Sequence, residues 1–139
     1  MQSLFQGSEE SPDVPGLGII PGIVTRFDTS DGKRVPQIGW NGVYQVKPCV
    51  LLESISVTDT VYFVHSFCAM PTVENIGWVL GVTDYGSQKY ISMIQKGNVI
   101  ACQFHPEKSG AVGLNLLRYV NVISSWLNFA GNQFTPFVP

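Results

Sequence analysis

The chain has 139 residues, with 8 lysines and arginines against 10 aspartates and glutamates and a formal net charge of −2. The acidic pI near 5.5 and the lack of a basic stripe argue against nucleic acid as a partner. No apolar run approaches the roughly 20 residues that span a bilayer, and the first residues read as neither a signal nor a transit peptide.

At 45% hydrophobic residues the chain can build a core, and its length is that of one domain or part of one. Cys49, Cys68 and Cys102 are odd in number and contain no Cys-x-x-Cys pair. That argues against a zinc site or a disulfide framework and points to a soluble protein in a reducing compartment.

Met1 to Phe5 is compatible with a short helix, and an acidic Gly-Ser-Glu-Glu-Ser-Pro turn follows it. Gly16 to Phe27 reads as two short strands broken by Pro21-Gly22, a strong turn pair. Thr29 to Lys33 is a polar loop. Val35 to Gly42 alternates proline, glycine and an aromatic, which suits a loop lying against another surface; Trp40 would either plug the domain's own core or anchor a partner. Val50 to Leu52 is an expected edge strand. Thr60 to His65, rich in β-branched and aromatic residues, is a clear strand. Trp78 to Val82 and Tyr90 to Ile94 follow as strands, and Lys96-Gly97-Asn98 joins the second of them to Val99–Phe104 as a hairpin. Beyond Ser109, whose hydroxyl is placed to cap a first turn, Val112, Leu116, Leu117, Val120 and Ile123 recur at helical spacing.

The stretch with the most chemistry is Gln103-Phe104-His105-Pro106-Glu107-Lys108-Ser109-Gly110. Pro106 has no amide hydrogen and fixes its own φ, so it ends the preceding strand and holds His105 extended at the strand's end. A histidine whose second nitrogen faces a carboxylate can take a proton from a thiol or hydroxyl near neutral pH, which makes His105 a candidate base and Glu107 its orienter. Read by itself, His-x-Glu is also what a solvated surface turn shows, and His65 by itself reads equally as a satisfied strand-end histidine.

Five segments carry a resemblance in this order: Gly-Ser-Glu-Glu-Ser (7–11), Gly16 to Gly22, Pro36-Gln37-Ile38-Gly39-Trp40-Asn41, Tyr62-Phe63-Val64-His65-Ser66, and His-Pro-Glu-Lys-Ser-Gly (105–110). From Met1 to about Arg118 the chain resembles the glutaminase part of imidazole glycerol phosphate synthase, in phrasing nearest the plant-type bifunctional enzyme. His-Pro-Glu alone would indicate only the class I glutamine amidotransferases. The resemblance implies an α/β, flavodoxin-like, three-layer fold. It also implies glutamine hydrolysis that feeds ammonia to a (βα)8 cyclase barrel, in the same chain or as a subunit, within histidine biosynthesis. No cofactor and no metal are implied.

Residue by residue, the resemblance implies His105 and Glu107 as catalytic residues, and Gln2, Glu10, His65, Ser66 and Phe67 around the glutamine. It implies Gln37, Trp40, Asn41 and Lys108 at the interface with the cyclase. Gln37 stands where histidine is usual, and Phe67 where tyrosine is often found. A plastid stroma would be the setting for a plant-type protein, and the cytoplasm otherwise.

In that family a nucleophile elbow, Gly-x-Cys-x-Gly-x-Gln, precedes the first helix, and Gln2 matches its last residue. The cysteine would lie four residues before Gln2, ahead of Met1, together with the earlier strands and the oxyanion turn. Residues 1–118 are therefore expected to be a C-terminal part of the domain, inactive without its nucleophile, and 119–139 the end of the last helix with a divergent tail. Cys102 is an unsuitable substitute: it lies three positions from His105 and so on the opposite strand face. Cys68 lacks the helix N-terminus that commonly activates a thiol, and Cys49 is beside Pro48 in a loop. Two other readings stay open, a non-catalytic or partner-binding remnant and a different class I amidotransferase, the latter opposed by Gly39-Trp40-Asn41.

Overall fold

The computed structural model describes residues 1–53 and 55–129, with side chains through Val120. The architecture is mixed α/β: nine strands in three sheets, short 3₁₀ turns and one long helix among the described residues. The strands are β1 (Phe5–Ser8), β2 (Ile20–Arg26), β3 (Gln37–Asn41), β4 (Tyr44–Gln45), β5 (Val61–His65), β6 (Phe67–Ala69), β7 (Val79–Tyr85), β8 (Gln88–Lys96) and β9 (Val99–Cys102), and the helix is α1 (Gly110–Phe129). No helix among the described residues is long and apolar enough to cross a membrane.

The hairpin β7–β8 is the central layer because both of its faces are covered. Leu80, Tyr90 and Met93 join Phe63, Phe104 and Leu116 in one cluster, while Val79, Ile91 and Ile94 join Phe5, Ile20, Val24 and Ala69 in the other. Strands covered on both faces read as nearly continuous apolar runs, and Val79 to Thr83 and Tyr90 to Met93 are buried throughout. The expected β8–β9 hairpin is present, with Lys96 opposite Val99 and Gly97 in the left-handed region at φ 57°.

Several elements differ from expectation. Met1 to Phe5 forms a single 3₁₀ turn, Gln2–Leu4, and Phe5 already opens β1. Pro21-Gly22 does not break a strand. It lies inside β2 where the register against β1 shifts, and the Gly22 amide donates instead to Gln6 Oε1 at 2.9 Å. A bulge is one of the few sheet positions that tolerates proline.

Val35 to Gly42 is not simply a loop, since Gln37–Asn41 pairs antiparallel with Val61–His65, Gln37 opposite His65 and Trp40 opposite Tyr62. Trp40 is 53% exposed, so it does not plug the core. Val50–Leu52 is a 3₁₀ turn, because Leu51 and Leu52 must both be buried and consecutive strand residues would face opposite ways.

The helix starts as expected, with Leu116 buried and Val112 packed against the core, but Leu117 and Val120 stay exposed. The Ser109 hydroxyl does not cap it. That hydroxyl accepts from the Tyr62 amide at 3.0 Å and donates to the His105 carbonyl at 2.6 Å, joining β5 to the turn after β9. The side chain of Ile123 and the tail from Phe134 to Pro139 lie outside the described residues.

Candidate active site

His105 stands where β9 gives way to a 3₁₀ turn, Pro106–Lys108. Its amide donates to the Tyr62 carbonyl at 2.9 Å, and its carbonyl accepts from Ser109, so its backbone is tied to β5 on both sides. Two residues on, Glu107 brings Oε1 to 2.8 Å from His105 Nδ1. An ionised carboxylate only accepts, so Nδ1 carries the hydrogen and Nε2 is the nitrogen left for chemistry. The Glu107 carboxyl is held below the usual carboxylate range, first by its own backbone N–H and then by the His105 imidazole. Both side chains are reachable from solvent.

A cleft of about 430 Å³ has walls that include Gln2, Glu10, His65, Ser66 and Phe67, while neither His105 nor Glu107 lines it. These five residues come from three distant stretches of chain, and Gln103, two positions before His105, closes the wall on the β9 side. The sequence alone does not assign Gln103 a role; residues of an extended chain alternate faces, so its two-residue spacing from His105 is the signal it carries. Gln2 Nε2 donates to the Phe67 carbonyl at 2.7 Å and to Gln103 Oε1 at 2.9 Å. Among the described residues the Glu10 carboxylate takes no hydrogen bond, whereas that of neighbouring Glu9 accepts from the Arg26 amide at 2.8 Å.

His65 is unlike His105. Burial holds its pKa down to about 4, with the nearby His105 charge acting in the same direction, so His65 is neutral and within electrostatic reach of the dyad. Cys68 and Cys102 are not poised as nucleophiles. Burial pushes the Cys68 thiol up to about 12 and the Cys102 thiol up to about 11, and Cys102 Sγ donates to the Phe104 carbonyl at 3.4 Å. Among the described residues no group of three His, Cys, Asp or Glu is disposed to hold a metal ion.

The four residues expected at an interface are not all on one surface. Trp40 is exposed and stacks edge-on with Tyr62 at 5.9 Å, beside exposed Ile38 and Val64. Lys108 is exposed in the dyad's own turn. Gln37 is fully buried, where it accepts from the Tyr90 hydroxyl at 2.9 Å and donates to Asn41 Oδ1 at 2.9 Å. It can touch a partner only through the Asn41 amide that it orients.

A base with its orienter at a strand end, in a mixed α/β domain, can take a proton from a thiol, a hydroxyl or a water. The glutamine amidotransferase class-I family matches residues 1–118, and the chain belongs to that family. Among characterised relatives it is 52% identical over 118 residues to the chloroplastic imidazole glycerol phosphate synthase hisHF of Arabidopsis thaliana, covering 85% of this chain and 20% of that protein. It is 51% identical over 121 residues to the imidazole glycerol phosphate synthase subunit HisH of Thermococcus kodakarensis, covering 84% of this chain and 59% of the subunit. A third relative, the hisHF of Emericella nidulans, is 41% identical over 125 residues, which is 22% of its length. The chain thus spans less than two thirds of each of these proteins.

Proposed function

We propose that this chain is the base-bearing and substrate-binding segment of the glutaminase of an imidazole glycerol phosphate synthase, in which glutamine hydrolysis supplies ammonia to a cyclase barrel. The observation that carries the reading is the one cleft that gathers Gln2, Glu10, His65, Ser66 and Phe67 with Gln103, two positions before the hydrogen-bonded pair His105 and Glu107. Residues 1–118 are taken as amidotransferase domain and 119–139 as the end of α1 with its tail. A plastid is the compartment if the protein is of the plant bifunctional type.

In the proposed mechanism a cysteine thiol on the elbow gives its proton to His105 Nε2 while the sulfur attacks the side-chain amide carbon of glutamine. The tetrahedral oxyanion is held by backbone N–H groups near the elbow. His105 then returns the proton to the departing nitrogen, releasing ammonia and leaving a thioester, which water, deprotonated by the same nitrogen, hydrolyses to glutamate. Glu107 keeps the imidazole in the tautomer that exposes Nε2 and stabilises the imidazolium. Glu10 would take the α-ammonium of glutamine. Exposed Trp40 and Ile38, with Asn41 oriented by Gln37 and the Lys108 charge alongside, form the surface proposed to meet the barrel.

The test uses the complete enzyme with its cyclase. His105→Ala abolishes glutamine-dependent turnover and leaves turnover on added ammonium salts, since the barrel needs only ammonia. Equal loss of both activities would make His105 a structural residue. The second reading, a partner-binding fragment without catalysis, draws on the buried Cys68 and Cys102 thiols, both pushed up by burial. It predicts no ammonia release from residues 1–139 alone, and shows itself if the complete enzyme is inactive as well.

A further inference from the structure

At the joint between β5 and β6, two side chains from distant parts of the chain converge on one backbone carbonyl. His65 Nδ1 lies 2.9 Å from the Phe67 carbonyl oxygen, and Gln2 Nε2 donates to the same oxygen at 2.7 Å. A carbonyl only accepts, so His65 Nδ1 carries the hydrogen and Nε2 keeps a bare lone pair. The surroundings favour that neutral form. Phe27, Tyr90 and Phe63 wall the imidazole with ring centroids at 5.2, 5.3 and 5.7 Å, and Nε2 is buried without a hydrogen-bond partner among the described residues.

The amide of Gln2 is fixed in turn. Its nitrogen has two hydrogens and two acceptors, the Phe67 carbonyl and Gln103 Oε1. Turning the amide over would set its oxygen against both acceptors, so the orientation is determined by the network. Gln2 lines the cleft that also carries Glu10, and Oε1 is the one group of its amide that this network leaves unused.

We propose that His65 is a positioning residue of the glutamine site: through the Phe67 carbonyl it locks the Gln2 side-chain amide so that Oε1 faces the cleft. There Oε1 and the Glu10 carboxylate together select a ligand end rich in N–H, the free α-ammonium of an amino acid. The inference rests on the glutaminase reading of the cleft. It requires a donor at the Nδ1 position of residue 65 and nothing of the ring's basicity. Asparagine, whose side-chain nitrogen reaches about where Nδ1 stands, should therefore serve in its place, and phenylalanine should not.

The experiment measures glutamine KM and kcat in the complete enzyme for wild type, His65→Phe, His65→Asn and Gln103→Leu. His65→Phe is expected to raise KM about tenfold with kcat within about twofold, the signature of lost binding that is uniform between ground and transition state. His65→Asn should come back to within about threefold of wild type, and Gln103→Leu, which removes the second anchor of the Gln2 amide, should fall between. Asparagine no better than phenylalanine, a loss confined to kcat, or an unchanged KM in all three variants would overturn the proposal. If His65→Phe does not fold, Gln103→Leu and His65→Asn decide by the same criteria. A wild-type enzyme that cannot hydrolyse glutamine would instead sink the glutaminase reading itself.

Discussion

The two histidines of the chain are set to different tasks by what faces Nδ1. An ionised carboxylate at 2.8 Å holds the His105 hydrogen on Nδ1 and leaves Nε2 for chemistry, whereas a carbonyl at 2.9 Å holds the hydrogen on Nδ1 of a His65 that burial keeps neutral. The folded-state pKa of His65, about 4, lies below its ordinary value of 6.5. Between these values the unfolded chain binds a proton that the folded chain does not, so stability rises with pH across the window. The contribution is fully present above about pH 6.5 and is lost as pH falls toward 4, amounting to roughly 3 kcal/mol at most at about 1.4 kcal/mol per pH unit. Melting of the complete enzyme followed from pH 8 to pH 4 should show a steep decline that His65→Asn lacks in the upper half of the window. Carboxylates held below their ordinary value of 3.8, Asp28 and Asp31 among them, lose their contribution only as pH falls below that value, so an identical profile in the two proteins above pH 5 would refute the assignment.

The turn after β9 shows how elements hold the base in place. Ser109 is buried, and its hydroxyl links the Tyr62 amide to the His105 carbonyl, so Ser109→Ala leaves the Tyr62 amide without its acceptor and the His105 carbonyl with only the Lys108 amide as donor. Such a loss typically costs about 1–3 kcal/mol per group. Next to it, Gly113 packs so tightly on the Pro106 backbone that a Cβ there would overlap the Pro106 carbonyl. Gly113→Ala should therefore move α1 off the turn, lower the melting temperature more than Ser109→Ala does, and reduce glutamine-dependent kcat by displacing His105. Wild-type melting and kcat in Gly113→Ala would show that the turn can give.

Local signals made much of this region legible. A proline after His105, a carboxylate two residues on and a Gly97-Asn98 hairpin are all short-range features. Long-range pairing was not legible: β3 reads as loop because Pro36 and Gly39 discourage a strand, and only its partner β5, more than twenty residues away, makes it one. The Ser109 hydroxyl is captured by β5 in the same way, against its local preference for a helix cap. The place of Gln103 in the cleft wall was not legible either, because it depends on Gln2, more than a hundred residues away.

On the scale of the whole molecule, the burial is complete in the centre and open at the margins. The hairpin β7–β8 is covered on both faces, yet β1 stands at the end of its sheet and pairs with β2 in parallel, an arrangement that folded proteins ordinarily enclose. Around it Val14, Leu17, Ile19 and Ile23 are exposed, and on the other side Ile38 and Trp40 meet solvent as well. Large apolar patches and free strand edges are what a further strand, a helix or a partner would cover, and uncovered they invite edge-to-edge association. Net stability of a domain is only about 5–15 kcal/mol, so failure to cover such margins is enough to tip the balance. Residues 1–139 expressed alone are therefore expected to aggregate or to give a broad, uncooperative melt. Joined to the upstream half of an amidotransferase domain and mixed with a cyclase barrel, the same residues should melt cooperatively and elute at a single size. A monomer of residues 1–139 with a sharp transition and dispersed amide resonances would mean that the β7–β8 core is sufficient by itself, and that the open margins are tolerated surface rather than contacts awaiting their cover.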